Sequence, residues 1–173
     1  MDVDNGEFID PSQSGEILLR GPQVMQGYFN DPQATKETIR DDGFMHTGDI
    51  GKFDEKGRLI LTDRKKELIK YKGYQVPPAE LEAILITMKE VKDSIVIPVP
   101  DEEGGEVPRA YVVLQDGVSV PDQVTEQQII DYVYDRVAPH KRLRGGVRFT
   151  DVIPRSPAGK LLRRVQIRQD REI

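Results

Sequence analysis

The sequence predicts an α+β chain in two folded pieces, a small β-rich piece followed by a mixed piece in which strands are flanked by helices. Three observations carry this. The apolar run Leu59 to Leu61 leads directly into an acid-base cluster, Asp63 to Glu67, which breaks the hydrophobic pattern and reads as a charged pivot. A second strand-like stretch carrying Lys70, Lys72 and Gly73 follows the pivot. Pro77, Pro78 and Glu80 then mark a helix start, because proline fits the first helical turn and a carboxylate there meets the positive end of the helix dipole.

In chain order, Gly15 to Arg20 is expected as a strand closed by the Gly21-Pro22 turn signal. Gln33 to Ile39 is expected as a short helix, capped by Asp31 with Pro32 in its first turn. Taken alone, the Gly48-Asp49 step reads as a turn. Lys52 to Thr62 reads as a hairpin with Asp54 to Gly57 as its polar turn and Arg58 to Leu61 as the returning strand. Beyond the pivot, Leu68 to Val76 alternates in part, as a half-buried strand does. Pro78 to Met88 is a helix with Leu81, Ile84, Leu85 and Met88 on one core-facing stripe.

Val91 to Val99 is a strand closed by Pro98 and Pro100. The acidic turn Asp101 to Glu106 and a strand from Arg109 to Leu114 follow. Thr125 to Gln128 is a capping-box pattern opening a helix whose Ile129, Val133 and Val137 lie one turn apart, and Pro139 ends it. His140 is expected as an exposed or capping residue. From Val147 a strand leads to a loop stiffened by Pro154 and Pro157. Gly159 is expected to give flexibility just before Lys160, and a basic helix closes the chain.

The composition, 37% hydrophobic and 32% charged, is that of a globular protein. No run approaches the roughly 20 apolar residues that span a bilayer. Met1 is followed by Asp2, Asp4 and Glu7 rather than by a basic, apolar leader, so secretion and membrane insertion are not expected. There is no cysteine, which removes disulfides and thiolate chemistry, and two histidines, His46 and His140, give no basis for a metal site. From Lys141 onward ten Lys and Arg stand against three Asp and Glu, inside a chain of net charge -5. Such a tail suits a phosphorylated cofactor or a solvated helix face. With a single aromatic, Phe149, and no binding motif, it does not suit nucleic acid.

Three segments together resemble a known family. Gly57-Arg58, Asp63-Arg64, Lys66 to Lys70, Lys72-Gly73, Gln75-Val76 and Glu80 to Glu82 resemble the hinge motif of the AMP-forming acyl-CoA synthetases. This superfamily includes 4-coumarate-CoA ligases, fatty acyl-CoA ligases and firefly-type luciferases. Gly43 to Gly51, with Thr47-Gly48-Asp49, and Val147 to Arg164, with Ser156-Pro157, Gly159-Lys160 and Arg163, match two further motifs in order and spacing.

The resemblance implies a chemistry. Asp49 would hold the ribose hydroxyls of ATP or AMP, as an acceptor-only carboxylate can for a vicinal diol, and Arg64 would reach the same ribose. Lys66 would be the hinge residue and, with Lys70 and Gln75, lie near the nucleotide. Lys72 and Gly73 would line the CoA channel, glycine giving room for close backbone approach. Lys160 would be the catalytic lysine. The implied domains are 1–62, the incomplete last β subdomain of a large adenylation domain; 63–66, the hinge; and 67–173, the complete C-terminal small domain.

The implied reaction takes a carboxylic acid and ATP to an acyl-adenylate, then CoA to a thioester and AMP. Mg2+ would accompany ATP, its ligands lying outside this chain. Ala158, Leu161 and Arg155 depart from the more usual serine, isoleucine and lysine without changing shape or charge class. The larger departure is that the family's phosphate loop, adenine motif and acyl pocket are absent, so the missing large N-terminal domain is an implied partner and inactivity in isolation is expected. The alternative is a non-catalytic nucleotide- or CoA-binding or protein-interaction module of the same fold. A cytoplasmic location is expected; the final Arg171-Glu172-Ile173 is not a peroxisomal Ser-Lys-Leu ending.

Overall fold

The computed structural model describes residues 1–122 and 124–172. It divides the chain into two units, Met1–Glu67 and Leu68–Ile173. Among the described residues no helix is long and apolar enough to cross a membrane.

The first unit is a three-stranded antiparallel sheet of β1 (Gly15–Leu19), β2 (Met45–Phe53) and β3 (Leu59–Arg64) in that spatial order. One helix, α1 (Pro32–Thr38), lies between β1 and β2 in sequence. The Asp31 side chain caps it by accepting from the Ala34 amide at 2.9 Å. The expected hairpin is present, and β2 and β3 both run longer than the pattern indicates. Asp63 and Arg64 belong to β3, and Lys65–Glu67 form one 3-10 turn. Ile50 is the buried hydrophobic residue of this unit among those described, whereas Leu59, Ile60 and Leu61 are consecutive and all exposed. Since alternate residues face opposite sides, both faces of the edge strand β3 are open and apolar.

The second unit contains a five-stranded sheet: β5 (Tyr74–Val76), β4 (Ile69–Tyr71), β7 (Gly105–Leu114) and β6 (Val91–Asp101) in spatial order, with β8 (Val147–Phe149) parallel to β7. Helices α2 (Pro78–Leu85) and α3 (Glu126–Tyr134) bring Leu81, Leu85, Ile129 and Val133 into one core with Ile69, Val76, Val96 and Val112. On the opposite side Ile95, Ile97, Val99, Val107 and Tyr111 form a second core, against which Leu161 and Ile167 of the C-terminal loop and α4 (Arg163–Arg171) pack. The strand β6 therefore lies between two apolar layers, which is why Ile95-Val96-Ile97 is a continuous hydrophobic run rather than an alternation.

Two sequence expectations are corrected here. Pro98 and Pro100 do not close β6, which continues to Asp101. It is the terminal strand of the sheet, paired with β7 alone, so a proline whose nitrogen faces the open side costs no ladder hydrogen bond. The helix starting at Pro78 ends at Leu85, and Met88 reaches the core from beyond it. The Thr125 capping box is formed in full, with the side chains of Thr125 and Gln128 each accepting from the other's backbone amide.

Asp170 anchors α4. Its carboxylate accepts from Arg109 at 2.7 Å and from the Tyr111 hydroxyl at 2.6 Å, with Arg148 3.6 Å away. Burial pushes this carboxyl up, but the hydrogen bonds from Tyr111 and Arg109 outweigh it and hold it below the ordinary aspartate range. A carboxyl depressed in the folded state contributes stability that is complete above the unfolded value of about 4 and is lost as pH falls through the lower folded value. Asp170→Asn is therefore expected to cost about 2 kcal/mol at neutral pH. It should also flatten the loss of stability below about pH 4, which urea unfolding across an acid titration checks.

Candidate functional site

In the first unit the site is built on a bulge. The β1–β2 register passes from Glu16 opposite Ile50 to Leu18 opposite His46, so Thr47, Gly48 and Asp49 stand opposite Ile17 alone. The Gly48-Asp49 step, which alone reads as a turn, thus lies within β2. Bulges of this kind re-aim side chains. The Thr47 hydroxyl donates to the Ile17 carbonyl at 2.7 Å and accepts from the Asp49 amide at 3.0 Å. The Gly48 amide donates to Glu16 Oε1 at 3.2 Å.

Asp49 is directly opposite Arg64 in the β2–β3 ladder, and its carboxylate lies 3.1 Å from the Arg64 guanidinium. Arg64 is largely exposed, so this pair contributes at most about 1 kcal/mol, and a polar ligand engaging either side chain gives up little. Glu16, by contrast, is 2% exposed. Burial pushes its carboxyl up, and hydrogen bonds from Lys65 and His46 more than offset this, leaving it below the ordinary glutamate range.

Leu68 to Val76 is a tight hairpin and not the single half-buried strand its pattern predicts. Lys72 and Gly73 are its two turn residues, at φ 47° and 81°. A two-residue turn matching the strand twist needs positive φ at both positions. Lys-Gly is a weaker signal for it than Asn-Gly, because lysine is strained in the left-handed region. A Cβ on Gly73 would meet nothing within 4 Å, so conformation and not space is the reason for glycine there. Lys70 pairs across the hairpin with Gln75, which puts both side chains on one face, while Ile69 and Val76 are fully buried on the other.

Lys160 is exposed, on a loop fixed at both ends. The Ser156 amide donates to the Lys160 carbonyl at 2.8 Å, and the Lys160 amide donates to Ser156 Oγ at 3.1 Å. Arg155 binds Asp93 of β6 with two hydrogen bonds, at 2.7 and 3.1 Å, and donates to the Gly159 carbonyl at 2.8 Å. Gly159, at φ 81°, donates to the Ser156 carbonyl at 2.8 Å. It closes this turn just before Lys160 in a left-handed conformation that glycine adopts at no steric cost.

At the far end, Arg163 is buried against Glu82 of α2. Glu82 accepts from the Val96 amide at 2.8 Å, and Arg163 donates to the Val96 carbonyl at 3.0 Å. The two side chains thereby satisfy both backbone groups of a residue on the outer edge of the sheet.

The fold thus brings Asp49 to Arg64, and Lys70 to Gln75 beside the Lys72-Gly73 turn. The loop that carries Lys160 is fastened by Arg155 to Asp93 of β6, the edge strand opposite β5. Lys66 is exposed in the 3-10 turn. Glu16 and Asp93, which hold these positions, escape sequence reasoning, and Glu82 is legible only as part of the motif at Glu80 to Glu82, with no sign of its partner. Glu16 and Asp93 are acidic residues on strands with no spacing signal, and the donors that folding brings to them decide their roles. His140 stacks on Tyr74, ring centroids 4.6 Å apart, in place of the capping role allowed for it.

Residues 80–160 match the family of AMP-binding enzyme C-terminal domains. The chain as a whole is related to the C-terminal part of the AMP-forming acyl-CoA synthetases. It is 52% identical over 169 residues to 4-coumarate--CoA ligase-like 6 of Oryza sativa subsp. japonica, covering 98% of this chain and 27% of that protein. It is 48% identical over 161 residues to luciferin 4-monooxygenase of Luciola mingrelica, covering 93% and 29%. Among solved structures, ATP-bound MatB from Rhodopseudomonas palustris superposes with a TM-score of 0.85 at 34% identity, over 98% of this chain and 32% of that one. The chain spans less than a third of the length of these two curated relatives, 27% and 29%.

Proposed function

We propose that the chain is the C-terminal portion of an ATP-dependent, AMP-forming carboxylic acid-CoA ligase and supplies that enzyme's catalytic lysine and hinge. In the first step a carboxylate oxygen attacks the α-phosphorus of ATP and pyrophosphate leaves. In the second the CoA thiol attacks the acyl carbonyl and AMP leaves. The observation that carries the reading is the Lys160 loop: an exposed ammonium on a backbone pinned by Arg155, Ser156 and Arg163. Such a group can stabilise charge building on the carboxylate and α-phosphate from a fixed point of attachment.

Asp49 and Arg64 fit the ribose of the nucleotide, one as acceptor and the other as a donor fork. Lys70 and Gln75, side by side, add a cation and an amide for nucleotide contacts, and Lys72 with Gly73 forms the turn facing CoA. Lys66 takes up the rotation that alternates the two steps. Mg2+ would enter with ATP on groups outside this chain.

Alone, residues 1–173 are expected to show no ATP-pyrophosphate exchange with any acid supplied. Mixed with or fused to the preceding domain of a 4-coumarate-CoA ligase relative, they are expected to restore thioester formation. Exchange by the isolated chain would overturn the first expectation. Failure of both the mixture and the fusion would favour a non-catalytic module.

A further inference from the structure

Three donors converge on the buried Glu16 carboxylate. The Gly48 amide reaches Oε1 at 3.2 Å, and His46 Nδ1 and Lys65 Nζ reach Oε2 at 3.0 and 2.9 Å. Gly48 and His46 belong to or adjoin the bulge that carries Asp49, whereas Lys65 lies 49 residues away in sequence and directly precedes Lys66. With Arg64 bound to Asp49, two successive residues before Lys66 are each tied by an ion pair to the β1–β2 ribbon. Lys66 itself is exposed and makes no ion pair among the described residues.

The Glu16 end of the Lys65 pair is 2% exposed. It is therefore screened less than an exposed pair, and losing Lys65 leaves the buried carboxylate with only the Gly48 amide and His46 as donors, whereas Lys65, 39% exposed, is left to solvent if Glu16 is lost.

We propose that Glu16 is a positioning residue that holds the Asp49 bulge and Lys65 in one rigid frame, so that the chain is fixed up to residue 65 and rotation begins at Lys66. This rests on Lys66 being the hinge. Without the frame, the same rotation would be shared with β3 and would displace Arg64 from Asp49. His46 is the remaining titratable group on Glu16, so the frame is held by a lysine and an imidazole against one carboxylate.

The test is backbone 15N relaxation and amide exchange on the intact chain, with no nucleotide or CoA added. In the wild type, residues 64 and 65 should have order parameters near about 0.85, the value of rigid backbone. Lys65→Met should bring residue 65 below about 0.6 while leaving Gly48 exchange unchanged within about twofold. Lys65→Arg should keep the wild-type value. Glu16→Gln should both loosen residue 65 and speed Gly48 exchange by about tenfold, since a charged acceptor is replaced by a neutral one.

Unchanged order at residue 65 in Lys65→Met overturns the proposal, as does equal loosening in Lys65→Arg. If Glu16→Gln does not fold, the two Lys65 variants decide the question. Because no ligand is involved, a rigid frame with failed thioester reconstitution would count against the ligase reading alone. A loose frame with successful reconstitution would count against the frame alone.

Discussion

Lys160→Ala is expected to lower acyl-adenylate formation by about 10²- to 10³-fold in the reconstituted or fused enzyme, the cost of losing one preorganised charge at the reacting centre. The same variant should leave the unfolding free energy unchanged within about 0.5 kcal/mol, because an exposed side chain outside the packed layers carries little stability. The two measurements separate chemistry from folding. Lys160→Arg should recover little, since a planar guanidinium is not interchangeable with a compact ammonium that must bridge two oxygens. The check is single-turnover adenylate formation, followed by thioester formation from supplied acyl-adenylate. A deficit confined to the first step supports the role given to Lys160. Equal loss in both steps, or none in the first, removes it.

The second large effect is expected at Glu82. Glu82→Ala leaves Arg163 as a buried charge without its carboxylate and strips the Val96 amide of its acceptor. Breaking one side of a buried pair typically costs about 3–5 kcal/mol, a large share of the stability of a domain this size. Arg163→Met should cost a similar amount. The double variant should fall short of the sum by about 2 kcal/mol, because the second substitution removes the charge that the first left stranded. Urea unfolding of the four proteins reads this directly, and additivity within about 0.5 kcal/mol would mean the two groups are not energetically coupled. Arg163 also opens α4 three residues after Lys160, so each single variant is expected to loosen the Lys160 loop as well.

Much of the chain was legible from its residues. The Asp31 and Thr125 caps, the Asp54 to Gly57 turn and the Leu81-Ile84-Leu85 stripe are local, because propensity, capping and periodicity act within one or two turns of chain. Asp49, Arg64, Lys70, Gln75 and Lys160 could be put forward as candidates because the motifs that carry them are contiguous in sequence. What reads least well are the places where neighbours override local preference. The prolines of β6 fall in a strand because one side of that strand is unpaired, and sequence cannot say which side a nitrogen faces. Lys72 accepts a left-handed conformation because Ile69 and Val76 on either side are locked in the core and the chain must reverse between them.

By itself, then, the sequence determined the two-part α+β plan, the helices with their caps and the relationship to AMP-forming synthetases, and it nominated the candidate chemical groups. Only the tertiary structure decided how those groups are held. Asp49 meets Arg64 through a bulge pinned by a buried glutamate, and Lys160 is held by a loop fastened to β6 at Asp93 and at Val96. The physical reason is that nothing in a sequence names the partner of a buried acidic residue. Its worth comes from donors brought beside it by folding, 49 residues away for Glu16 and 81 for Glu82.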